Sequence, residues 1–403
     1  MNPLKACLCL LLLAAPASYS RADYGQAGPY PVREFLFAEP VGTNPAYSAL
    51  IFYPTEPNNP ARAAAAAAPM PVLVFGHGFL SPPELYRVTC RHLASWGFAV
   101  IAPRTALELF PSHAAYAEDL RASATVLMNL GDDPSSPLYQ RVDPAGVGFT
   151  GHSMGGGASL LAAAGDPRTR AVAVLAAAET RPSAIDAAVN VDVPILYITG
   201  SQDTFTPNPF HTRPMFDYTA HAAWMDIRGG FHCGFILAPL PEAVCDAGSI
   251  KRTEQLAITH RLLTAYFLSR FRGEPTGWNE VWGPTPDLDR QLAVRRTPIA
   301  DLRTASPALA VPAGTEKAIP VTVANRSATT RTFTVAVDHA PFAAAVSPSS
   351  LVVAPGQEGV FTVSFTAPAT GGTRRGFALL RAWDVHDPSD GGDYRWLRVR
   401  RSR

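Results

Sequence analysis

Short apolar runs recur along the N-terminal part of the chain, separated by gaps of helix length. Eight have strand character: Val32–Ala38, Tyr47–Tyr53, Pro71–Gly76, Phe98–Pro103, Gly146–Thr150, Ala171–Ala176, Val193–Thr199 and Ala223–Arg228. The third to seventh are almost unbroken Val, Ile, Leu, Phe and Ala, as expected of strands covered on both faces. Leu85–Trp96, Tyr116–Leu130, Gly155–Ala164 and Pro209–Ala220 can supply the crossover helices. The pattern predicts an α/β unit with an eight-stranded, mostly parallel sheet flanked by helices. The alanine tract Ala63–Ala68 reads as a surface insertion between the second and third strands.

After about Arg272 the period changes. A connector rich in Trp and Pro leads to short runs of alternating character: Ala318–Ala324, Thr332–Asp338, Leu351–Val353, Gly359–Thr366, Gly376–Trp383 and Tyr394–Val399. Alternation in half-buried strands with frequent turns predicts a C-terminal all-β, immunoglobulin-like sandwich. The expected organisation is a signal peptide over 1–22, an α/β unit over 23–275, a linker over 276–305 and a sandwich over 306–403.

The signal-peptide expectation rests on Lys5, the apolar run from Ala6 to Ala15 and the small residues before Asp23. That run is too short to span a bilayer, and no other run is long enough. The expected location is therefore secreted, extracellular or periplasmic, with no transmembrane anchor. Net charge is +1, with 34 basic against 33 acidic residues, which argues against a nucleic-acid partner. With Cys7 and Cys9 in the leader, Cys90, Cys233 and Cys245 remain. Oxidising surroundings and close spacing predict a Cys233–Cys245 disulfide and a buried free thiol at Cys90.

The chemistry concentrates at three loops. Gly151-His-Ser153-Met-Gly155 follows the fifth strand and opens a helix, so Ser153 sits on a sharp strand-to-helix turn. Gly200-Ser-Gln-Asp203 follows the seventh strand, and Arg228-Gly-Gly-Phe-His232 follows the eighth. A serine hydroxyl needs a base, and the base needs an orienting acid. The order Ser153, Asp203, His232 supplies all three, with Asp226 and Glu179 as rival acids. The amides of Met154 and of Phe79, in Gly76-His-Gly-Phe79, are the expected oxyanion donors. His77, Phe205 and Phe231 are expected to line the substrate pocket. His152 is expected to pack against the sheet, and His92, His113, His211, His221, His260, His339 and His386 to be surface or packing residues. The carboxylates between Asp384 and Asp393 read as a solvated turn rather than a calcium loop. Asn325-Arg-Ser327 fits a glycosylation sequon.

These pieces carry a resemblance. Leu93-Ala-Ser-Trp-Gly-Phe-Ala-Val100, Val142-Asp-Pro144, Gly151-His-Ser-Met-Gly-Gly-Gly157, Gly200-Ser-Gln-Asp203 with Pro207, and Arg228-Gly-Gly-Phe-His232 resemble the bacterial secreted cutinase-type polyester hydrolases of the α/β-hydrolase superfamily. More loosely, they are similar to dienelactone-hydrolase-like and platelet-activating-factor-acetylhydrolase-like esterases. The resemblance implies a cofactor-free serine ester hydrolase with Ser153, Asp203 and His232 as triad and Phe79 and Met154 as oxyanion donors. Three pieces depart from it. Leu175-Ala-Ala-Ala-Glu-Thr180 lacks the family's aromatic clamp, His77-Gly-Phe79 replaces the family's usual Pro-Gly-aromatic turn, and the C-terminal sandwich is additional.

Short to medium acyl esters, lipids or polyesters are the expected substrates. A peptidase or amidase using the same triad is the nearest alternative. A surface-binding protein with a hydrolase scaffold is the third, and the sandwich is the candidate for surface or polymer binding.

Overall fold

The computed structural model describes residues 23–42, 44–56, 59–63, 69–237, 244–388 and 392–402. The expected leader, most of the alanine tract and Asp390 lie outside the described residues. In chain order the first unit contains β1 (Val32–Ala38), β2 (Ser48–Glu56), β3 (Asn59–Ala63), β4 (Met70–Gly76), α1 (Arg87–Ser95), β5 (Ala99–Pro103), α2 (His113–Asp132), β6 (Val142–His152) and α3 (Met154–Ala164). It continues with β7 (Thr169–Leu175), α4 (Ala184–Val189), β8 (Ile195–Gly200), α5 (Thr212–Tyr218), β9 (Ala222–Ile227), α6 (Arg252–Arg272), α7 (Pro275–Asn279) and β10 (Leu292–Thr297).

These strands form one sheet in the order β1-β2-β5-β4-β6-β7-β8-β9-β10, with β3 paired to β2. Pairing is parallel from β5 through β9 and antiparallel at both ends. The sheet therefore has ten strands rather than the eight expected. Two additions account for the difference: the β3 hairpin partner and β10, which falls inside the stretch read as a linker. Every residue of β4, β5 and β8 is buried, so this sheet has core on both faces. α2 and α3 pack over one face, and α1 and α6 over the other.

The remaining strands form two sheets. β11 (Ala300–Thr304), β13 (Glu316–Asn325), β17 (Glu358–Thr366) and β15 (Ala343–Ser347) make a four-stranded sheet in the order β11-β13-β17-β15. β12 (Ala308–Pro312), β19 (Asp393–Ser402), β18 (Arg375–Asp384), β14 (Arg331–Asp338) and β16 (Leu351–Val353) make the second, in the order β12-β19-β18-β14-β16. Both sheets contribute to one apolar core that includes Val321, Phe361, Phe365, Phe333, Leu380 and Leu397.

Residues 276–305 are thus no spacer. They add an edge strand to each of two sheets. Trp278, Val281 and Trp282 are buried in the same cluster as β9 and α6. Contacts between the units include the Arg381 guanidinium 5.4 Å over the Trp278 ring, the Tyr394 hydroxyl donating to Asp287 at 2.6 Å and the Arg270–Asp387 ion pair.

The Cys233–Cys245 disulfide is present, and Cys90 is a buried free thiol. Asn325 of the sequon is fully buried, its amide donating to the carbonyls of Thr329 and Val353. Of the turn carboxylates, Asp384 pairs with Arg331 and Asp387 with Arg270. No group of three or more His, Cys, Asp or Glu among the described residues is arranged to hold a metal.

Candidate active site

The turn between β6 and α3 is built by glycines. Ser153 has φ 58° and ψ −123°, a conformation that costs a non-glycine residue on the order of 1–3 kcal/mol. Backbone bonds hold it there. Its N–H donates to Leu175 O at 2.9 Å, and its carbonyl accepts from Ala178 and Gly157 at 2.9 and 3.1 Å. The helix can come this close because Gly76, Gly151 and Gly155 meet face to face. A Cβ on Gly151 would stand 2.5 Å from Gly155 O, and one on Gly155 would run into the backbone of Gly76 and His77. Ser153 is left half-exposed at the carboxyl end of the sheet, with α3 starting directly behind it.

Asp203 lies just past β8 and His232 just past β9, both nearly buried. His232 Nδ1 stands 2.8 Å from Asp203 Oδ2. The other carboxylate oxygen accepts the N–H groups of Phe205 and Thr206 at 2.9 and 2.8 Å. The Thr206 hydroxyl is 2.8 Å from Asp203 Oδ2 and 3.2 Å from His232 Nδ1. Burial pushes the Asp203 carboxyl up, but the hydrogen bonds and charge of His232, with Thr206, outweigh it and leave the group below the usual carboxylate range.

The rival acids are placed elsewhere. Asp226 accepts from Thr199 and Asn208, and burial raises its carboxyl. Glu179 accepts the Ile185 N–H.

The His232 ring stacks on Phe205 at 5.3 Å and packs against His152 at 4.4 Å, next to the serine. His152 is buried, with Nδ1 2.8 Å from the Tyr86 hydroxyl. Burial first, and the neighbouring His232 second, hold its ring well below the usual histidine range, so it stays neutral. In the loop after β4, the His77 N–H donates to the Tyr116 hydroxyl at 2.7 Å and the Gly78 N–H to that of Tyr86 at 3.1 Å. The next amide along is that of Phe79, which lines the same cleft as Ser153 and Met154.

That cleft has a volume of about 450 Å³. Its apolar wall comes from Phe79, Leu109, Phe110, Ala178 and Phe205, with Phe110 93% exposed. Two expected pocket residues are not part of it. His77 is fully buried, with Nδ1 and Nε2 held 2.9 and 2.7 Å from the carbonyls of Gly78 and Thr105. Phe231 turns into the core beneath the Arg252 guanidinium, because its own N–H donates to the Gln255 side-chain oxygen of α6 and its carbonyl accepts from the Gln255 amide.

In their place are two histidines read as surface or packing residues. His211 Nδ1 accepts the Glu179 N–H at 3.0 Å and His113 Nδ1 the Arg181 N–H at 3.1 Å, and both line the cleft. They brace the loop after β7. Nothing in their local sequence announced this, since the partners are backbone groups distant in the chain. A larger hollow of about 760 Å³ lies between the units, away from Ser153, and its Arg296, Arg326 and Arg395 are paired with Asp287, Asp301 and Asp393.

A serine on a strained elbow, a histidine held by a buried carboxylate and an open apolar cleft together suit nucleophilic attack on a carbonyl. A family model described as PET hydrolase-like matches residues 16–239. Among curated proteins, cutinase est1 of Thermobifida alba is 27% identical over 210 residues, 51% of this chain and 64% of that protein. Cutinase 2 of Thermobifida cellulosilytica is 28% identical over 210 residues, 51% and 73% of the two chains. Cutinase cut1 of Thermobifida fusca is 28% identical over the same length, 51% and 60%. The chain therefore spans less than two thirds of the length of some of these relatives. With the family match running through the elbow and the loops after β8 and β9, over more than half of the 403 residues, this chain belongs to the PET hydrolase-like family of cutinase-type α/β-hydrolases.

Proposed function

We propose that the protein is an exported serine ester hydrolase of the cutinase type, acting on carboxylic esters and polyesters. The observation that carries this reading is the 2.8 Å contact between His232 Nδ1 and buried Asp203 beside a serine on a glycine-built elbow. With Nδ1 facing the carboxylate, Nε2 is the nitrogen left to take the Ser153 proton. Ser153 Oγ then attacks the acyl carbonyl and forms a tetrahedral intermediate. The Met154 and Phe79 amides donate to its oxyanion. Collapse releases the alcohol, protonated by His232, and leaves an acyl-enzyme. Water activated by His232 hydrolyses that ester and frees Ser153. Asp203 keeps the imidazole in its working tautomer and stabilises the imidazolium as it forms.

The cleft suggests the acyl group. Ala178 leaves the wall after β7 without an aromatic ring, while Phe79, Phe110 and Phe205 supply apolar surface from other loops. Short to medium aliphatic acyl groups fit this lining. The Cys233–Cys245 bridge is consistent with an oxidising compartment. No helix among the described residues is long and apolar enough to cross a membrane. We read residues 1–22 as the export leader and the C-terminal sheets as an immunoglobulin-like module that holds the enzyme on a polymer. The exposed edge-to-face pair Phe377–Trp396, with centroids 6.4 Å apart, supports that second assignment.

An active-site label tests the central part. A fluorophosphonate should modify Ser153 alone, as read by peptide mass, and abolish ester hydrolysis in proportion. Full activity after labelling, or an adduct confined to another residue, would overturn the reading. Turnover of p-nitroanilides at a rate equal to the esters would favour the amidase alternative.

A further inference from the structure

We infer that Asp246 is a positioning residue that locks the His232 loop onto the Asp203 loop, a role that rests on the triad proposed above. Asp246 lies outside every motif in the sequence and touches none of the reacting groups. Its carboxylate nevertheless gathers three backbone N–H groups. Oδ2 accepts from His232 at 2.8 Å and from Thr204 at 3.2 Å, and Oδ1 accepts from Cys233 at 2.9 Å. Thr204 directly follows the triad acid, and Cys233 directly follows the triad base. One anion therefore bridges the two loops whose separation sets the His232–Asp203 contact.

The disulfide explains how Asp246 is held in place. Cys245 precedes it in the chain and is bonded to Cys233, which is itself one of the donors. The covalent bridge brings the carboxylate to the N–H groups, and the hydrogen bonds to an ionised acceptor fix the orientation that a single S–S link leaves free. The Asp203 loop is fastened from its other side as well, since Phe205 and Thr206 donate to Asp203 itself. Thr204, between Asp203 and Phe205, has Asp246 as its acceptor. Both loops are thus fixed at backbone level, independently of the substrate.

The chemistry this protects is sensitive to position. A misplacement of about 1 Å in a catalytic group costs on the order of a hundredfold in rate. Removing Asp246 frees the His232 and Thr204 backbones to shift relative to each other and so loosens the His232–Asp203 contact.

The test uses the full chain and p-nitrophenyl butyrate. Asp246→Ala removes all three bonds, whereas Asp246→Asn keeps the volume and one acceptor and serves if the alanine variant does not fold. Both are expected to lower kcat about ten- to hundredfold, with KM within about twofold of wild type. Unchanged kcat would overturn the assignment. So would a loss of activity that follows the folded fraction by circular dichroism, with kcat per folded molecule intact, since that would make the role purely structural. Ser153→Ala is assayed alongside. Activity surviving there would sink the triad reading itself, an outcome distinct from any result at Asp246.

Discussion

The two parts of the chain bury their apolar residues in different ways, and this decides where chemistry can sit. In the first, the central strands are covered on both faces, and β4 is buried from Met70 to Gly76. No face is left open, so reactive side chains can emerge only where strands end. The proposed triad residues Ser153, Asp203 and His232 lie after β6, β8 and β9. In the second, β17 alternates, with Phe361, Val363 and Phe365 inward and Glu358, Val360 and Thr362 outward. There the sheet faces themselves are open, and Phe377 and Trp396 are displayed on one of them. Covered sheets leave only their loops free for chemistry, whereas half-covered sheets also leave a face exposed.

The sharpest way to break this comparison is at the triad acid. Asp203→Asn keeps the shape but removes the charge that orients His232, and kcat should fall roughly 10⁴-fold. Substitution on the open sheet face should leave hydrolysis of a soluble ester unchanged. Steady-state rates on p-nitrophenyl butyrate check both; a fall of less than tenfold for Asp203→Asn would contradict the assignment of the acid.

Glycines extend the contrast to stability. A Cβ on Gly155 meets the backbone of Gly76 and His77, whereas Gly356, at φ +69°, has open space around it. Gly155→Ala should cost at least about 1–3 kcal/mol through overpacking and abolish activity. Gly356→Ala should cost about 1–2 kcal/mol for its left-handed backbone and leave activity intact. Urea titrations paired with ester assays would show whether the two penalties separate in this way.

The placement of Ser153, Asp203 and His232 could be read from the sequence because each follows an apolar run at a glycine-rich loop, and strand order alone brings such loops to one sheet edge. The edge strand β10 could not be read so well. β10 is Leu-Ala-Val-Arg-Arg-Thr and only partly buried, so its apolar signal is weak. α6 carries no clean stripe, because Gln255, Thr259, His260, Thr264 and Ser269 are buried along with its apolar residues. Phe231 looked like a pocket residue by its place beside His232, but the hydrogen bonds of its backbone to Gln255 turn it inward. His113 and His211 reach the cleft through tertiary contacts that no local pattern encodes.

Acid should act mainly on the first part. Burial lowers His92 and His221 from 6.5 to about 4, with nearby cations adding to the effect at His221, and burial pushes His152 and His260 well down. A histidine with a lowered folded value takes up its proton first in the unfolded chain. Its stabilising effect is therefore complete above pH 6.5 and is lost as pH falls toward about 4. Asp203, lowered from 3.8, contributes stability above that value and loses it only at still lower pH. The Tm should decline steadily below pH 6.5, and a flat Tm from pH 7 to 5 would contradict the account. The smallest effect is expected on the sandwich face: Phe377→Ala with Trp396→Ala should reduce adsorption to a polyester film several-fold and leave Tm and soluble-ester rates within error.

Hydrolysis of p-nitrophenyl esters from acetate to palmitate, wild type beside Ser153→Ala, tests the central claim most directly. Wild type should turn these esters over with an optimum at short to medium chains, and the serine variant should lose that turnover. Equal rates for the two proteins, or no cleavage of any ester by wild type, would contradict it.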